Sequence, residues 1–359
     1  MGLQSTIITP DRIGASLGRI LAHAMPQSVL GTLGEKDDRK KNTGRVTIYR
    51  RYLPRGATAS NPNVFFQNGT GDRTNAFVAQ HLTQEGVTPM AETLVPQDIS
   101  VEQKQFAFIY GFTDQTVDMG EDPIPEIAEE FVGERTGLIR EMNLFGVLKG
   151  CTNKFYGGTG TSRATVNGRL TLQLLRKVER SLKAQHSEAA RKMLQLIPAS
   201  GNYGTLPVQA CYPVFISTDL TSDVRDLPNF KDVSIYGNSR MALPNECGSC
   251  EEFRFIVSPE LVAIQDSGAA VAGTVPQLLS TSGTNADVYQ VIVGSQKAWG
   301  HLGLALSKDD LTLLPVGQKD KNDILGQRGY VGIKFYHNAV RLNEGQMAVV
   351  EVGTSALAE

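Results

Sequence analysis

Cys247 and Cys250, set in the run CGSC, have the spacing of a metal half-site or a redox pair, since two cysteines separated by two residues can grip one ion or close on each other. A zinc site needs a second pair of ligands at comparable spacing. The other cysteines, Cys151 and Cys211, stand alone, and no thioredoxin-like context flanks the motif. Free thiols packed as small hydrophobes are the better reading, with a cytoplasmic thiol or metal enzyme built on Cys247 and Cys250 kept as the rival. The run GASLG at 14–18 matches a nucleophile elbow, but that elbow requires a preceding sheet strand and an oxyanion donor from an earlier loop, and the short stretch upstream cannot supply them. The glycines at 157–160 lack the following Lys-Ser/Thr of a phosphate loop and read as a helix-ending loop. His23, His81, His186, His301 and His337 are too scattered to share a metal or to serve a nucleophile. The loose acylation pattern from Gly2 to Thr6 needs a eukaryotic enzyme and is set aside. The sequence predicts no catalytic residue, no cofactor and no metal.

The chemistry that remains is charge arranged on surfaces. Residues 35–55 carry eight Lys/Arg against three Asp/Glu, and residues 114–130 carry seven Asp/Glu and no base. The first stretch reads as a strand bearing Arg50, Arg51 and Arg55, the second as the acidic start of a long helix bearing Glu126, Glu129 and Glu130. Two such rigid surfaces suit contact between copies of one subunit better than they suit a small-molecule pocket. Local explanations compete: acids near a helix N-terminus meet the macrodipole favourably, and charge on an edge strand blocks unwanted pairing.

These residues must be positioned by a sizeable body. At 359 residues the chain exceeds the usual single-domain size, so two or more modules are expected. A formal net charge of -2 excludes a surface built to coat nucleic acid, so any charge-driven contact must be local. No apolar run approaches the roughly 18 residues of a membrane span, and the N-terminal region lacks the pattern of a signal peptide. The expectation is a protein made in a cytoplasm, with its four cysteines reduced.

Residues 1–44 read as an arm with a weakly amphipathic start at Ile13, Leu17, Ile20 and Leu21. A strand is predicted at 45–53, then a Gly/Asn-rich excursion from Gly56 to Pro89, then a strand from Ile99 to Thr113 with Phe106, Phe108, Tyr110 and Phe112 on one face. So much irregular chain between two strands implies a projecting loop. The spacing of Ile127, Phe131, Leu138, Met142 and Phe145 predicts a helix to Leu148, with Asp122 as N-cap and Pro123 as first helical residue. A second helix starts near Thr171 and buries Leu174, Leu175, Val178 and Leu182. Short strands at Tyr212–Ser217, Phe253–Val257 and Val288–Val293 point to a mixed domain, and GYVGIKFYHNAVRL and QMAVVEV read as two strands of a hairpin turning at Asn343-Glu344-Gly345.

In order along the chain, RRYLP at 50–54, EGVTP at 85–89, GER at 133–135, YGT at 203–205, YGNSRMALPNECGSCEEFRFIVSPE at 236–260, DVY at 287–289 and AVRLNEGQMAVVEV at 339–352 resemble the major capsid protein family of coliphage N-four type tailed phages. The resemblance implies an α+β, HK97-like capsid fold. It places an N-terminal arm at 1–44 and an extended loop at 45–115, a peripheral domain at 116–165 and 328–359 with a spine helix at about 123–148, and an axial domain at 166–327. Between about 58 and 81 this chain is longer than the family pattern. Phe65, Phe66 and Phe77 of that insertion would be costly to expose, so a neighbouring subunit is expected to cover them.

Where the family tends to carry aliphatic residues, this chain has Cys247 and Cys250. The function implied is a structural one: subunits assemble as hexamers and pentamers into the icosahedral head of a tailed phage, enclosing double-stranded DNA without sequence-specific binding. Such a subunit is made in a host bacterial cytoplasm and resides in the virion. Portal, scaffold and decoration proteins are the further partners implied, and no membrane. An encapsulin-type compartment that encloses protein cargo is the alternative within the same fold.

Overall fold

The computed structural model describes residues 29–40, 42–53, 82–83, 85–88, 93–120, 122–185, 211–235, 245–272, 277–295, 298–304, 310–319 and 323–357. In chain order the elements are α1 (Leu30–Leu33), β1 (Glu35–Arg39), β2 (Val46–Leu53), β3 (Val95–Glu102), β4 (Lys104–Thr113), α2 (Asp114–Met119), α3 (Ile124–Leu148), β5 (Lys154–Tyr156), α4 (Leu172–Ala184), β6 (Tyr212–Ser217), α5 (Thr221–Arg225), β7 (Lys231–Asp232), β8 (Glu246–Cys250), β9 (Phe253–Ser258), β10 (Tyr289–Val293), β11 (Trp299–Leu304), β12 (Asp310–Leu314), β13 (Arg328–Arg341) and β14 (Ala348–Val352). They form an α+β architecture. No helix among the described residues is long and apolar enough to cross a membrane.

A seven-stranded sheet runs β5-β14-β10-β6-β9-β8-β7. Every residue of β6, β10 and β14 is buried, which is what a strand covered on both faces requires. Alternation then sorts the side chains between two cores. Tyr212, Val214 and Ile216 of β6, Tyr289, Val291 and Val293 of β10, and Val350 and Val352 of β14 face α4, which contributes Leu174, Leu175, Val178 and Leu182. On the other face Phe215, Ile292 and Val349 meet Leu144, Phe145 and Leu148 from the end of α3. Helix α4 begins as its sequence indicates, with the Thr171 hydroxyl accepting from the Leu174 amide at 3.3 Å.

The second sheet is organised by β13, which pairs with β4 from Arg328 to His337. Its other edge is shared by β11 and β12, and β1 adds in parallel outside β11. Phe106, Phe108 and Tyr110 of β4 pack with buried Phe112 and Phe335 against Ala128 and Val132 of α3. The aromatic alternation of β4 thus points at the long helix, as its period of two predicts. Helix α3 has 25 residues, about 37 Å at 1.5 Å per residue.

Four expectations need correction. Ile99 to Thr113 is two strands, because β3 pairs with β2 and β4 with β13. Between them the Gln103 amide turns aside to the Arg45 carbonyl at 3.0 Å. Helix α3 begins at Ile124 rather than Pro123, with Pro123 in the cap position and no side-chain cap. Its buried face consists of Ala128, Val132, Thr136, Glu141, Leu144, Phe145 and Leu148. Of the expected stripe only Phe145 is fully buried, and Phe131 is 40 % exposed. Apolar residues occur almost all round this helix, so periodicity alone does not select a face; the small Ala128 and Val132 are chosen because the aromatic rings of β4 and β13 fill the space opposite.

The fourth correction concerns β13 and β14, which form no hairpin. They lie in different sheets, joined through a 3₁₀ turn at Glu344–Gln346 in which the Asn343 side chain accepts from the Gly345 amide at 3.2 Å. Asn343 has φ −143°, extended rather than left-handed, so the tight hairpin turn suggested by Asn-Glu-Gly is not made.

Part of the arm is fixed to the body. Val29 and Leu30 are buried beside Leu144 and Trp299, and their amides donate to the buried Glu141 carboxylate at 3.1 and 2.9 Å. The amphipathic stretch at Ile13–Leu21 lies outside the described residues.

Candidate assembly interface

Strands β2 and β3 form a two-stranded antiparallel ribbon that stands apart from both large sheets, with Arg50 opposite Asp98 and Arg51 opposite Gln97. Because successive side chains alternate, the two arginines point to opposite faces. Arg50 lies on the outer face and makes a bidentate pair with Asp98, at 2.7 and 2.8 Å. The Arg50 hydrogen bond holds the exposed Asp98 carboxyl below its ordinary range. Arg51 faces inward, donating to the Gln97 side chain at 2.7 Å and reaching the Leu342 carbonyl at 3.3 Å. Burial lowers its guanidinium from the usual value.

Arg51 therefore helps tie the ribbon to the end of β13. Tyr49, Ile99 and Leu342 complete that attachment around buried Val101, Leu302 and Val340, and the Tyr49 hydroxyl donates to Asp37 of β1 at 3.0 Å. The outer face is left with Val46, Ile48 and Tyr52, each 47–60 % exposed, around the Arg50–Asp98 pair. A ribbon with one anchored face and one uncovered apolar face is incomplete as a free surface.

At the start of α3, Glu126 and Glu130 are exposed and Glu129 is half-buried, with exposed Phe131 and Met119 nearby in sequence. Among the described residues of one chain, none of the ion pairs or hydrogen bonds of Arg50 and Arg51 reaches these acids. Arg55, Phe65, Phe66 and Phe77 lie outside the described residues.

Cys247 and Cys250 both sit on β8, next to the core shared with α4. Burial pushes the Cys247 thiol up to about 11 and raises Cys250, whose sulfur donates to the Pro228 carbonyl at 3.3 Å. Cys151 and Cys211 are pushed up likewise, to about 11 and about 12. All four are protonated thiols at neutral pH, the opposite of what nucleophilic or redox work needs. Among the described residues no group of three His, Cys, Asp or Glu could hold a metal ion.

The glycine loop at 157–160 follows β5, a short strand after the helix, and folds against the 167–168 backbone. The Thr159 amide donates to the Asn167 side chain at 2.9 Å, and Gly158 has φ +70°.

Sequence reading missed the buried polar groups. Glu351, fully buried within β14, accepts from Arg163 at 3.1 and 2.7 Å and from Gln290 at 2.9 Å, with Lys154 at 3.7 Å. Burial alone would raise its carboxyl, but the Arg163 and Gln290 hydrogen bonds outweigh that and hold it low. Asp223, also buried, accepts from Thr354 and Ser355 and pairs with Arg169 at 3.5 Å. The signal was an acid inside an apolar run, as in AVVEV, which asks where its counter-charge lies.

No family model matches the chain. In fold it is similar to the capsid protein of Ralstonia phage GP4, with a TM-score of 0.63 at 12 % identity over 99 % of both chains. It is also similar to the cyanophage Pam1 capsid, with a TM-score of 0.56 at 11 % identity over 99 % of this chain and 100 % of the other. A third likeness is to the capsid of cyanophage P-SCSP1u, with a TM-score of 0.54 at 12 % identity over 96 % and 94 %. The fold is the HK97-like fold of phage capsid proteins. In sequence the chain is 18 % identical over 368 aligned positions to the major capsid protein of Pseudomonas phage KPP21, covering 94 % of this chain and 91 % of that protein.

Proposed function

We propose that the chain is the major capsid subunit of a tailed phage, assembling with copies of itself as hexamers and pentamers into the icosahedral head that encloses double-stranded DNA. One observation carries this: both the sequence relative and the fold relatives match over nearly the whole chain, so no large domain is left over for another activity. The N-four type resemblance, the four-part division into arm, extended loop, peripheral and axial domains, and portal, scaffold and decoration partners belong to the same proposal. So does location in the virion.

Assembly in this reading is mechanical. The outer face of the β2–β3 ribbon of one copy lies over the acid-rich start of α3 in the next, with Ile48 and Tyr52 supplying apolar contact and Arg50 facing Glu126, Glu129 and Glu130. Arg55 and the loop aromatics Phe65, Phe66 and Phe77 extend the same contact. Single exposed ion pairs contribute only about 0–1 kcal/mol, so their role is register, repeated at every interface. Negative-stain microscopy of the protein expressed alone tests the proposal: rings or closed shells are expected, and a persistent monomer at high concentration overturns it. A shell that purifies with a bound protein cargo and no capacity for DNA would move the reading to an encapsulin-type compartment.

A further inference from the structure

The arm crosses the body over His301, whose ring stacks on a second titratable ring, His337. β1 pairs in parallel with β11, Lys36 standing opposite His301. Gly34, just ahead of β1, rests directly on that strand: a Cβ there would stand 2.7 Å from Trp299 Nε1 and 3.3 Å from His301 Nδ1. Under it lies His301 of β11, which stacks on His337 of β13 with ring centroids 6.2 Å apart and planes inclined by 26°. The Asn143 amide of α3 meets His337 Nδ1 at 3.0 Å, while His301 Nδ1 is buried without a hydrogen-bond partner among the described residues.

The charged groups around the pair are mostly cations. Lys36 and Asp38 come from β1, Arg140 from α3, where its guanidinium also stacks 4.9 Å from the Phe335 ring, and Lys104 from β4, opposite His337 in register. Glu141 of α3 is occupied by the Val29 and Leu30 amides. Burial first, and neighbouring positive charge second, keep both rings neutral, His337 down to about 4. β1 buries little of its own, because the side chains of EKDDR are exposed or half-exposed, with Asp37 accepting from the Tyr49 hydroxyl.

We propose that β1 is an acid-released latch: protonation of the stacked His301–His337 pair frees the arm strand from β11 while the two sheets stay folded. Once uncovered, His301 returns toward the ordinary histidine range near 6.5, so the released state takes up a proton that the latched state refuses. The balance tips toward release as pH falls through that window, and the latch recloses as pH rises. This follows from contacts within one chain and does not depend on the shell reading.

The chain has a single tryptophan, and it is Trp299, fully buried beneath Gly34. Purified full-length protein is titrated from pH 7 to pH 4 while tryptophan emission and far-ultraviolet circular dichroism are recorded together. A red shift of Trp299 emission is expected with the dichroism unchanged, absent from the double variant His301→Gln, His337→Gln. Lys36→Gln, at an exposed site, removes one repelling charge and should move the midpoint down by about half a pH unit; it carries the test if the double variant does not fold. Emission that stays unshifted to pH 4, a shift that coincides with loss of dichroism, a double variant with the wild-type midpoint, or a Lys36→Gln midpoint equal to wild type overturns the latch.

Discussion

Arg50 and Arg51 are consecutive in the chain and serve opposite faces of one ribbon, Arg50 clasping Asp98 on the outside and Arg51 reaching the Leu342 carbonyl on the inside. A charge reversal at either position therefore asks a different question. At Arg51 it tests how the ribbon is held, at Arg50 what the ribbon touches.

Arg50→Glu should impair assembly without unfolding the subunit, since the site is exposed and its partner pair is a surface one. Swapping the pair, Arg50→Asp with Asp98→Arg, restores attraction across the ribbon. If the pair were only an internal clasp the swap would assemble normally; the expected result is that assembly stays weak until Glu126→Lys and Glu130→Lys are added. Sedimentation of the assembled fraction reads each step.

Arg51→Ala should leave the sheets intact and loosen the base of the ribbon. Faster amide exchange at Ile99 and Val101, with a melting temperature lowered by no more than a few degrees, is the expected signature; unchanged exchange there would show that the apolar attachment alone holds it.

Arg163→Ala leaves the Glu351 carboxylate buried with only Gln290 and the more distant Lys154 as partners. A loss of about 2–4 kcal/mol is expected from urea denaturation, and Glu351→Gln, which removes the charge as well, should cost less. Equal losses would mean the charge is not what matters.

Stability should also fall with acid through His337. Its folded-state value near 4 lies below the ordinary 6.5, so the unfolded chain binds the proton first. The contribution is intact above about pH 6.5, shrinks as pH falls toward 4, and amounts to roughly 3 kcal/mol in all. Denaturation midpoints between pH 7 and pH 4 should flatten in His337→Gln.

The four thiols should resist a disulfide reagent at pH 8 in the folded protein, because Cys151, Cys211 and Cys247, at about 11 to about 12, are scarcely ionised there and burial raises Cys250 in the same direction. Denaturant should release all of them. A fast-reacting thiol, or metal copurifying with the native chain and lost in Cys247→Ser, would instead favour the enzyme rival.

Much of this was legible where local rules act on one element. Helix α4, with its threonine cap and leucine stripe, and the alternating aromatics of β4 stood out because one residue pattern decides each. Helix α3 was located but its face was not, since Ile127, Phe131 and Met142 looked as buriable as Ala128 and Val132; the choice is made by rings on β4 and β13 that are distant in sequence. The separation of β13 from β14 was hidden for the same reason: a turn sequence reports on its own geometry, not on which sheet each strand joins. On the ribbon, alternation alone could have told Arg50 from Arg51 once the strand's register on β3 was known, and register is a long-range fact. The buried ends of Glu141, Asp223 and Glu351 depend on partners more than one hundred residues away.

Because β13 lies at the centre of one sheet and β14 between β5 and β10 in the other, the first layer cannot close until synthesis has passed Arg341, nor the second until it has passed Val352. The polypeptide emerging from a ribosome thus carries its ribbon and acidic helix on an unfinished frame. Self-recognition is thereby deferred: a half-made subunit has no rigid platform from which to engage a finished one, and the order of strands along the chain acts as a timer.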